Sequence, residues 1–99
     1  MIKFKASIKF NNESLRKTAF TSGYRPGFSF NSDSYYQTSG QITLLDKKNL
    51  YPGESALAEI IPITKKYLGS NFGPGSKFIF YEGRNLIGEG EVISVLQWE

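Results

Sequence analysis

The first ten residues carry the pattern that most constrains the fold. Apolar and polar side chains alternate strictly from Ile2 to Phe10, and the polar positions hold three lysines and one serine. A period of two places the apolar side chains on one face of an extended strand and the lysines on the other. The pattern therefore predicts a half-buried β-strand. Its lysine row is interpreted as a solvated strand face, with a binding stripe as the alternative.

The composition favours a small all-β domain. Eight Phe and six Tyr stand against one Met, and ten Gly and four Pro supply turns. Aromatic residues are enriched in strands, while Gly and Pro interrupt them. Ninety-nine residues suffice for one hydrophobic core. We therefore expect a single domain over residues 1–99.

Five further strands are predicted between segments rich in turn residues. They cover residues 28–30, 41–44, 55–63, 77–82 and 86–96, and the last two form a hairpin. Polar loops are predicted over residues 11–23 and 31–39, and a breaker-rich connection over residues 65–76, with one helical turn over 64–68 as the alternative. Six short strands of this kind favour a closed antiparallel barrel, because closure removes exposed strand edges.

Glycines indicate two local features of this barrel. Pro52 and Gly53 occupy the central positions of a predicted type II turn, since Gly tolerates the positive φ required there. Gly88 and Gly90 alternate along the last strand. We interpret them as positions where another part of the molecule approaches the backbone closely.

The composition argues against enzymatic chemistry. The chain has no His and no Cys, so it lacks the usual general base, the thiol nucleophile and most zinc ligands. No phosphate-binding loop occurs, and the Gly88 and Gly90 segment lacks the third glycine of a dinucleotide fingerprint. Glu89 and Glu91 share a strand face, which we interpret as solvated surface. We expect a non-enzymatic protein without a cofactor, metal or nucleotide.

Charge and hydropathy limit the expected partners and cellular location of the protein. Twelve basic and nine acidic residues give a net charge of +3, and the basic residues are scattered along the sequence. This charge attracts polyanions only mildly. The absence of Cys suits a cytoplasmic protein, and no apolar run approaches membrane-spanning length. We therefore expect neither a membrane anchor nor secretion.

Four motifs, in the same order and spacing, resemble those of a known family. The first is Gly23-Tyr24-Arg25-Pro26 leading into a Phe28-x-Phe30 strand; Ser39-Gly40-Gln41-Ile42 and Tyr51-Pro52-Gly53-Glu54 follow; the last runs from Lys77-Phe78 through Glu82-Gly83 to Ile87-Gly88-x-Gly90-x-Val92. From residue 4 to residue 96 the chain resembles the C-terminal, third β-barrel domain of translation elongation factor Tu.

The resemblance implies a six-stranded antiparallel Greek-key barrel and two kinds of partner. In the full-length factor this domain packs on the second domain, touches the GTPase domain and binds the T-stem side of aminoacyl-tRNA. GTP hydrolysis belongs to the other domains and is not implied here. The positions that would contact RNA are Arg25, Thr38, Ser39, Gly83 and Arg84, with Tyr35 and Tyr36 as stacking platforms. The structural alternative is that Arg25 braces its loop through backbone carbonyls and that the two tyrosines pack their loop down or sit exposed.

Period-two counting along residues 55–63 predicts a protein interface. If the alanines and Ile60 face the core, Leu57 and Ile61 face outward, and with Ile79 they form the candidate interface. We expect docking to another protein, or self-association, in slight preference to RNA binding through Arg25 and Arg84. A stand-alone copy of such a domain would also compete with the full-length factor for its partners.

Overall fold

The computed structural model describes residues 1–30 and 37–99, which contain eight β-strands and no helix. The strands are β1 (Ile2–Phe10), β2 (Phe20–Thr21), β3 (Gly27–Ser29), β4 (Gln37–Leu44), β5 (Asn49–Leu50), β6 (Ser55–Pro62), β7 (Lys77–Glu82) and β8 (Asn85–Trp98). Six of them close into a barrel in the order β1-β6-β4-β3-β7-β8, and β8 pairs back onto β1. The predicted closed antiparallel barrel of six strands is confirmed.

The strand order makes the barrel a Greek key. β3, β4 and β6 follow one another among the barrel strands and are antiparallel neighbours, and β1 lies beside β6. Since neighbouring strands alternate in direction, the connections gather at two ends. We call the end formed by residues 11–26, 45–54 and 83–84 the hairpin end. The opposite end, which holds both chain termini and residues 63–76, is called the terminal end.

The inward face of β1 lies at the centre of the core. The five apolar residues of this strand are at most 4% exposed, as their alternation predicts. Phe4 contacts the rings of Phe30, Phe72 and Phe78 edge-to-face at centroid distances of 5.8, 5.2 and 6.0 Å. This aromatic cluster fills the barrel towards its terminal end.

Two phenylalanine rings occupy the space that side chains at Gly88 and Gly90 would need. A Cβ atom at Gly88 would lie 2.2 Å from the carbonyl oxygen of Lys9 and 2.4 Å from the Phe80 ring. A Cβ atom at Gly90 would lie 2.4 Å from the Phe78 ring. The prediction of close approach at these glycines is confirmed, and the absent side chains let large rings fill a narrow barrel.

The predicted turns also form. Gly53 has a φ of 90°, and the amide of Glu54 donates to the carbonyl of Tyr51 at 3.0 Å, which closes the turn. In the last hairpin Glu82 pairs with Asn85, so the loop contains two residues rather than the predicted three. Its first residue, Gly83, has a φ of 61°, as a type II′ turn requires.

Several predicted boundaries were wrong. β4 begins at Gln37 inside the predicted 31–39 loop, because residues 37–39 pair with β3. The predicted 11–23 loop includes β2, which pairs with the unpredicted β5 in a separate two-stranded sheet. β8 runs from Asn85 to Trp98 and not over the predicted 86–96, whereas the predicted breaker-rich connection at residues 65–76 is confirmed as turns without a helix. Each error concerns pairing between distant segments, which local propensity does not report.

Across residues 1–30 and 37–99, no helix has the length and apolar character needed to cross a membrane.

Candidate functional site

Two apolar residues lie on the outer face of β6, as predicted from period-two counting. The inward residues of this strand, Ala56, Ala58 and Ile60, are at most 5% exposed. Leu57 and Ile61 lie on the opposite face and are half-buried. Both residues therefore point out of the barrel, where the sequence predicted them.

Two further apolar residues extend this face. Ile63, which follows β6, is 72% exposed, and its amide donates to the carbonyl of Ser39 at 2.9 Å. Leu45 is 44% exposed, and its amide donates to the carbonyl of Leu57 at 2.9 Å. We call Leu45, Leu57, Ile61 and Ile63 the β6 stripe. From Leu57 to Ile63 it is about 20 Å long at the usual rise per strand residue.

One charged residue lies within the β6 stripe. Glu59 faces outward between Leu57 and Ile61, and the ammonium of Lys3 is 3.8 Å from its carboxylate. Lys5 lies directly opposite Glu59 on β1. The stripe is thus bordered on its β1 side by a lysine pair that partly neutralises its single carboxylate.

Ile79 does not join the β6 stripe. It is half-buried on β7, opposite Ser29 and Glu89. Two strands separate β6 from β7 in either direction around the barrel. Ile79 therefore lies on the far side of the molecule, and the three predicted interface residues do not form one surface.

The barrel brings Arg25 and the Gly83–Arg84 turn together at the hairpin end. Gly27 pairs with Tyr81, so two residues further along each strand Arg25 lies level with Gly83. Arg25 and Arg84 are both exposed. The Arg25 guanidinium donates to the side-chain oxygen of Gln41 at 2.9 Å, so it is braced by a neighbouring strand. Its bracing partner is a side chain and not the predicted loop carbonyls.

Thr38 and Ser39 belong to strand β4 and face opposite sides. Thr38 faces the core with 5% of its surface exposed, and its hydroxyl donates to the carbonyl of Ser39 at 3.1 Å. Thr38 is therefore inaccessible to RNA in this conformation, in contrast to the expectation from the resemblance. Ser39 is exposed opposite Gly27. Tyr35 and Tyr36 lie outside the described residues.

Sequence reasoning missed an ionic cluster that closes the hairpin end. The Arg16 guanidinium lies 2.5 Å from the Glu82 carboxylate, and the Tyr24 hydroxyl donates to the same oxygen at 2.6 Å. Arg16 also donates to the carbonyls of Thr18 and Ala19, each at 3.0 Å. We call Arg16, Tyr24 and Glu82 the clasp, because they join the 11–19 loop to the end of β7.

The clasp rests on aromatic packing. The Tyr24 ring stacks on Phe20 with centroids 4.2 Å apart, and the Arg16 guanidinium lies 5.0 Å from the Tyr24 ring centroid. Burial, together with the Glu82 carboxylate, raises the pKa of the Tyr24 hydroxyl far above its ordinary value. Glu82 lies 66 positions from Arg16, so no local motif signalled this contact.

The lysine row of β1 faces carboxylates on neighbouring strands. Lys9 lies opposite Glu89 on β8, as Lys5 lies opposite Glu59 on β6. Cross-strand pairs of opposite charge give modest stabilisation at a solvated surface. This arrangement supports the solvated-face interpretation. Within the described part of the chain, no group of three or more acidic residues is placed to hold a metal ion.

Comparison with known sequences assigns no family to this chain. No protein-family model matches the chain, and no curated protein matches it.

Proposed function

We propose that this chain is a non-enzymatic binding module that docks onto a partner protein through the β6 stripe. The observation that carries the proposal is the apolar character of the outward positions of β6 and its extension. A solvated strand in an antiparallel sheet normally carries polar residues on its outer face. The β6 stripe instead presents two isoleucines and two leucines around a single glutamate.

The surroundings of the β6 stripe fit the anatomy of a protein interface. Such interfaces have an apolar centre and a polar rim, and a few central residues contribute most of the affinity. Lys3, Lys5 and Glu59 supply charged groups at the border of the stripe. We place the partner in translation on the strength of the motif resemblance to elongation factor Tu, and the cytoplasm is the setting that the lack of Cys favours.

Replacing apolar residues of the β6 stripe with lysine is expected to abolish docking to the partner protein. A Leu57→Lys, Ile61→Lys variant keeps both side chains on the outer face, so the barrel should still fold. Two charges in an interface centre should weaken binding by about thirtyfold or more, the loss expected at hot-spot positions. The measurement is capture of the partner from a lysate of the source cells by tagged protein, followed by titration of the captured partner.

The matched control for this experiment is Ile79→Lys, an equally half-buried apolar residue on the far side of the barrel. Light scattering of the wild type and the Leu57→Lys, Ile61→Lys variant shows whether the docked partner is a second copy. The proposal fails if the stripe variant retains the partner, or if the Ile79 control loses it equally.

RNA binding at the hairpin end is the second candidate. It is favoured by one observation, the exposure of both Arg25 and Arg84 at the hairpin end of the barrel. Ser39 and Gly83 lie nearby and match further positions of the motif resemblance. Guanidinium groups bind phosphate oxygens in paired hydrogen bonds, so two exposed arginines at one end of the barrel suit a nucleic-acid backbone.

If RNA is the ligand, tRNA affinity should fall steeply between low and physiological salt. Removing one arginine–phosphate pair should reduce the logarithmic salt slope by about 0.7–0.9, so an Arg25→Ala, Arg84→Ala variant should lose up to about twice that amount. A Lys65→Ala, Lys66→Ala variant makes the same charge change at the terminal end and serves as the control. Absence of binding at low salt, or equal losses in both variants, would rule out this site.

A further inference from the structure

Strand β8 is bulged twice where it pairs with β1. Val92 lies opposite Ala6 while Ser94 lies opposite Lys5, so Ile93 is an extra residue between them. The register shifts again between Val95 and Gln97, which makes Leu96 the second extra residue. A bulge re-aims the side chain of its extra residue and is typical of functional positions on barrels.

Both bulges present an apolar side chain to solvent. Ile93 is 44% exposed and Leu96 is 49% exposed, while Val92 beside them is buried. The extra residue of a bulge has no residue opposite it on the neighbouring strand, so strand pairing would tolerate a polar side chain there as well as an apolar one. The two side chains are about 10 Å apart at the usual strand rise, a span that an extended peptide covers in about three residues.

The charges around the bulges are predominantly positive. Lys5 lies opposite Ser94 and Lys3 opposite Gln97, so each bulged residue has a lysine beside it on β1. The Lys65 ammonium lies 5.5 Å from the ring centroid of Trp98, which is two residues from Leu96 along the strand. Glu59 is the neighbouring carboxylate on β6 and faces both β1 lysines. Three lysines against Glu59 leave a local charge of +2, because the two flanking carboxylates have other cations beside them. Glu91 lies opposite Lys77 on β7, and the Glu99 carboxylate lies 3.9 Å from the N-terminal ammonium.

We propose that Ile93 and Leu96 anchor a linear peptide segment of a partner protein that combines apolar with acidic side chains. The anchors would bury the apolar residues of the peptide, and Lys3, Lys5 and Lys65 would receive its carboxylates. Strand β1 lies between this bulge surface and the β6 stripe, and its Lys3 and Lys5 border both surfaces. The bulge surface gives the barrel a second binding surface with a different ligand chemistry.

Selection from a library of random peptides with the folded domain tests the proposal. We expect the enriched peptides to pair Leu, Ile or Phe with Asp or Glu. Trp98 is the only tryptophan of the chain and is 49% exposed two residues from Leu96, so peptide binding should shift its emission to shorter wavelength. The Ile93→Ser, Leu96→Ser variant should bind a selected peptide at least about tenfold more weakly, and Lys5→Glu should weaken binding of the same peptide.

The matched control is Leu86→Ser, since Leu86 is also 44% exposed on β8 but lies at the hairpin end. It should leave peptide affinity unchanged. Enrichment of basic or uncharged peptides, equal affinity of the double serine variant, or an equal loss in the Leu86→Ser control would overturn the proposal. Absence of enrichment would also overturn it, and vesicles containing phosphatidylserine that alone shift the Trp98 emission would then assign the surface to a lipid.

Discussion

Replacing Gly88 with alanine should remove a large part of the free energy that keeps the barrel folded. The new Cβ would lie 2.2 Å from the carbonyl oxygen of Lys9 and 2.4 Å from the Phe80 ring. Both neighbours are fixed, because Lys9 belongs to paired β1 and Phe80 is fully buried in the core. We expect a loss of at least about 4 kcal/mol, which approaches the whole stability of a small domain.

Chemical denaturation monitored by circular dichroism measures this loss. Gly73→Ala is the control, because nothing lies within 4 Å of a Cβ at Gly73 and its φ is not positive. The control should match the wild type or gain up to about 1 kcal/mol, since alanine restricts the unfolded chain. Wild-type stability of Gly88→Ala would contradict the close approach that the barrel requires there.

Removal of the Glu82 carboxylate should open the clasp. Glu82→Ala leaves the Arg16 guanidinium and the Tyr24 hydroxyl without their shared acceptor. Hydrogen bonds to charged groups contribute about 1.5–3 kcal/mol each, and because the pair is partly exposed we expect a loss of about 2 kcal/mol. Trypsin should then cleave faster after Arg16 and Lys17, because the 11–19 loop opens locally. Glu13→Ala, an exposed change in the same loop, should leave the cleavage rate near that of the wild type.

The clasp also predicts how stability depends on pH. Since the pKa of the Tyr24 hydroxyl is raised in the folded state, the stabilisation is fully present below about pH 10, the ordinary pKa of tyrosine. It is lost as pH rises above that value, because the unfolded chain releases a proton that the folded state retains. Tyr24→Phe should be less stable than the wild type at neutral pH and should lose less stability above about pH 10. Parallel alkaline profiles for the two proteins would contradict this role of Tyr24.

Local sequence was sufficient to predict the side-chain faces of the longest strands. Period-two alternation placed Phe4 and Phe10 inward on β1, and Leu57 and Ile61 outward on β6, because successive strand residues point to opposite sides. Pro52 and Gly53 predicted their turn through backbone preferences that act within four residues. These features depend on neighbours in the chain, which is why they could be predicted from composition and order alone. The likeness to elongation factor Tu remains a prediction.

Strand pairing decided the remaining features, since it joins residues far apart in the chain. Strand pairing places Ile79 on the side of the barrel opposite Leu57, although both residues occupy outward positions of apolar strands. The Thr38 side chain faces the core because of the same pairing. The clasp joins Arg16 to Glu82 across 66 positions, and the bulges at Ile93 and Leu96 exist only relative to the register of β1. Alternation along a strand predicts which side chains point out of the barrel. Which of those side chains share a surface is decided only when the strands pair and the barrel closes.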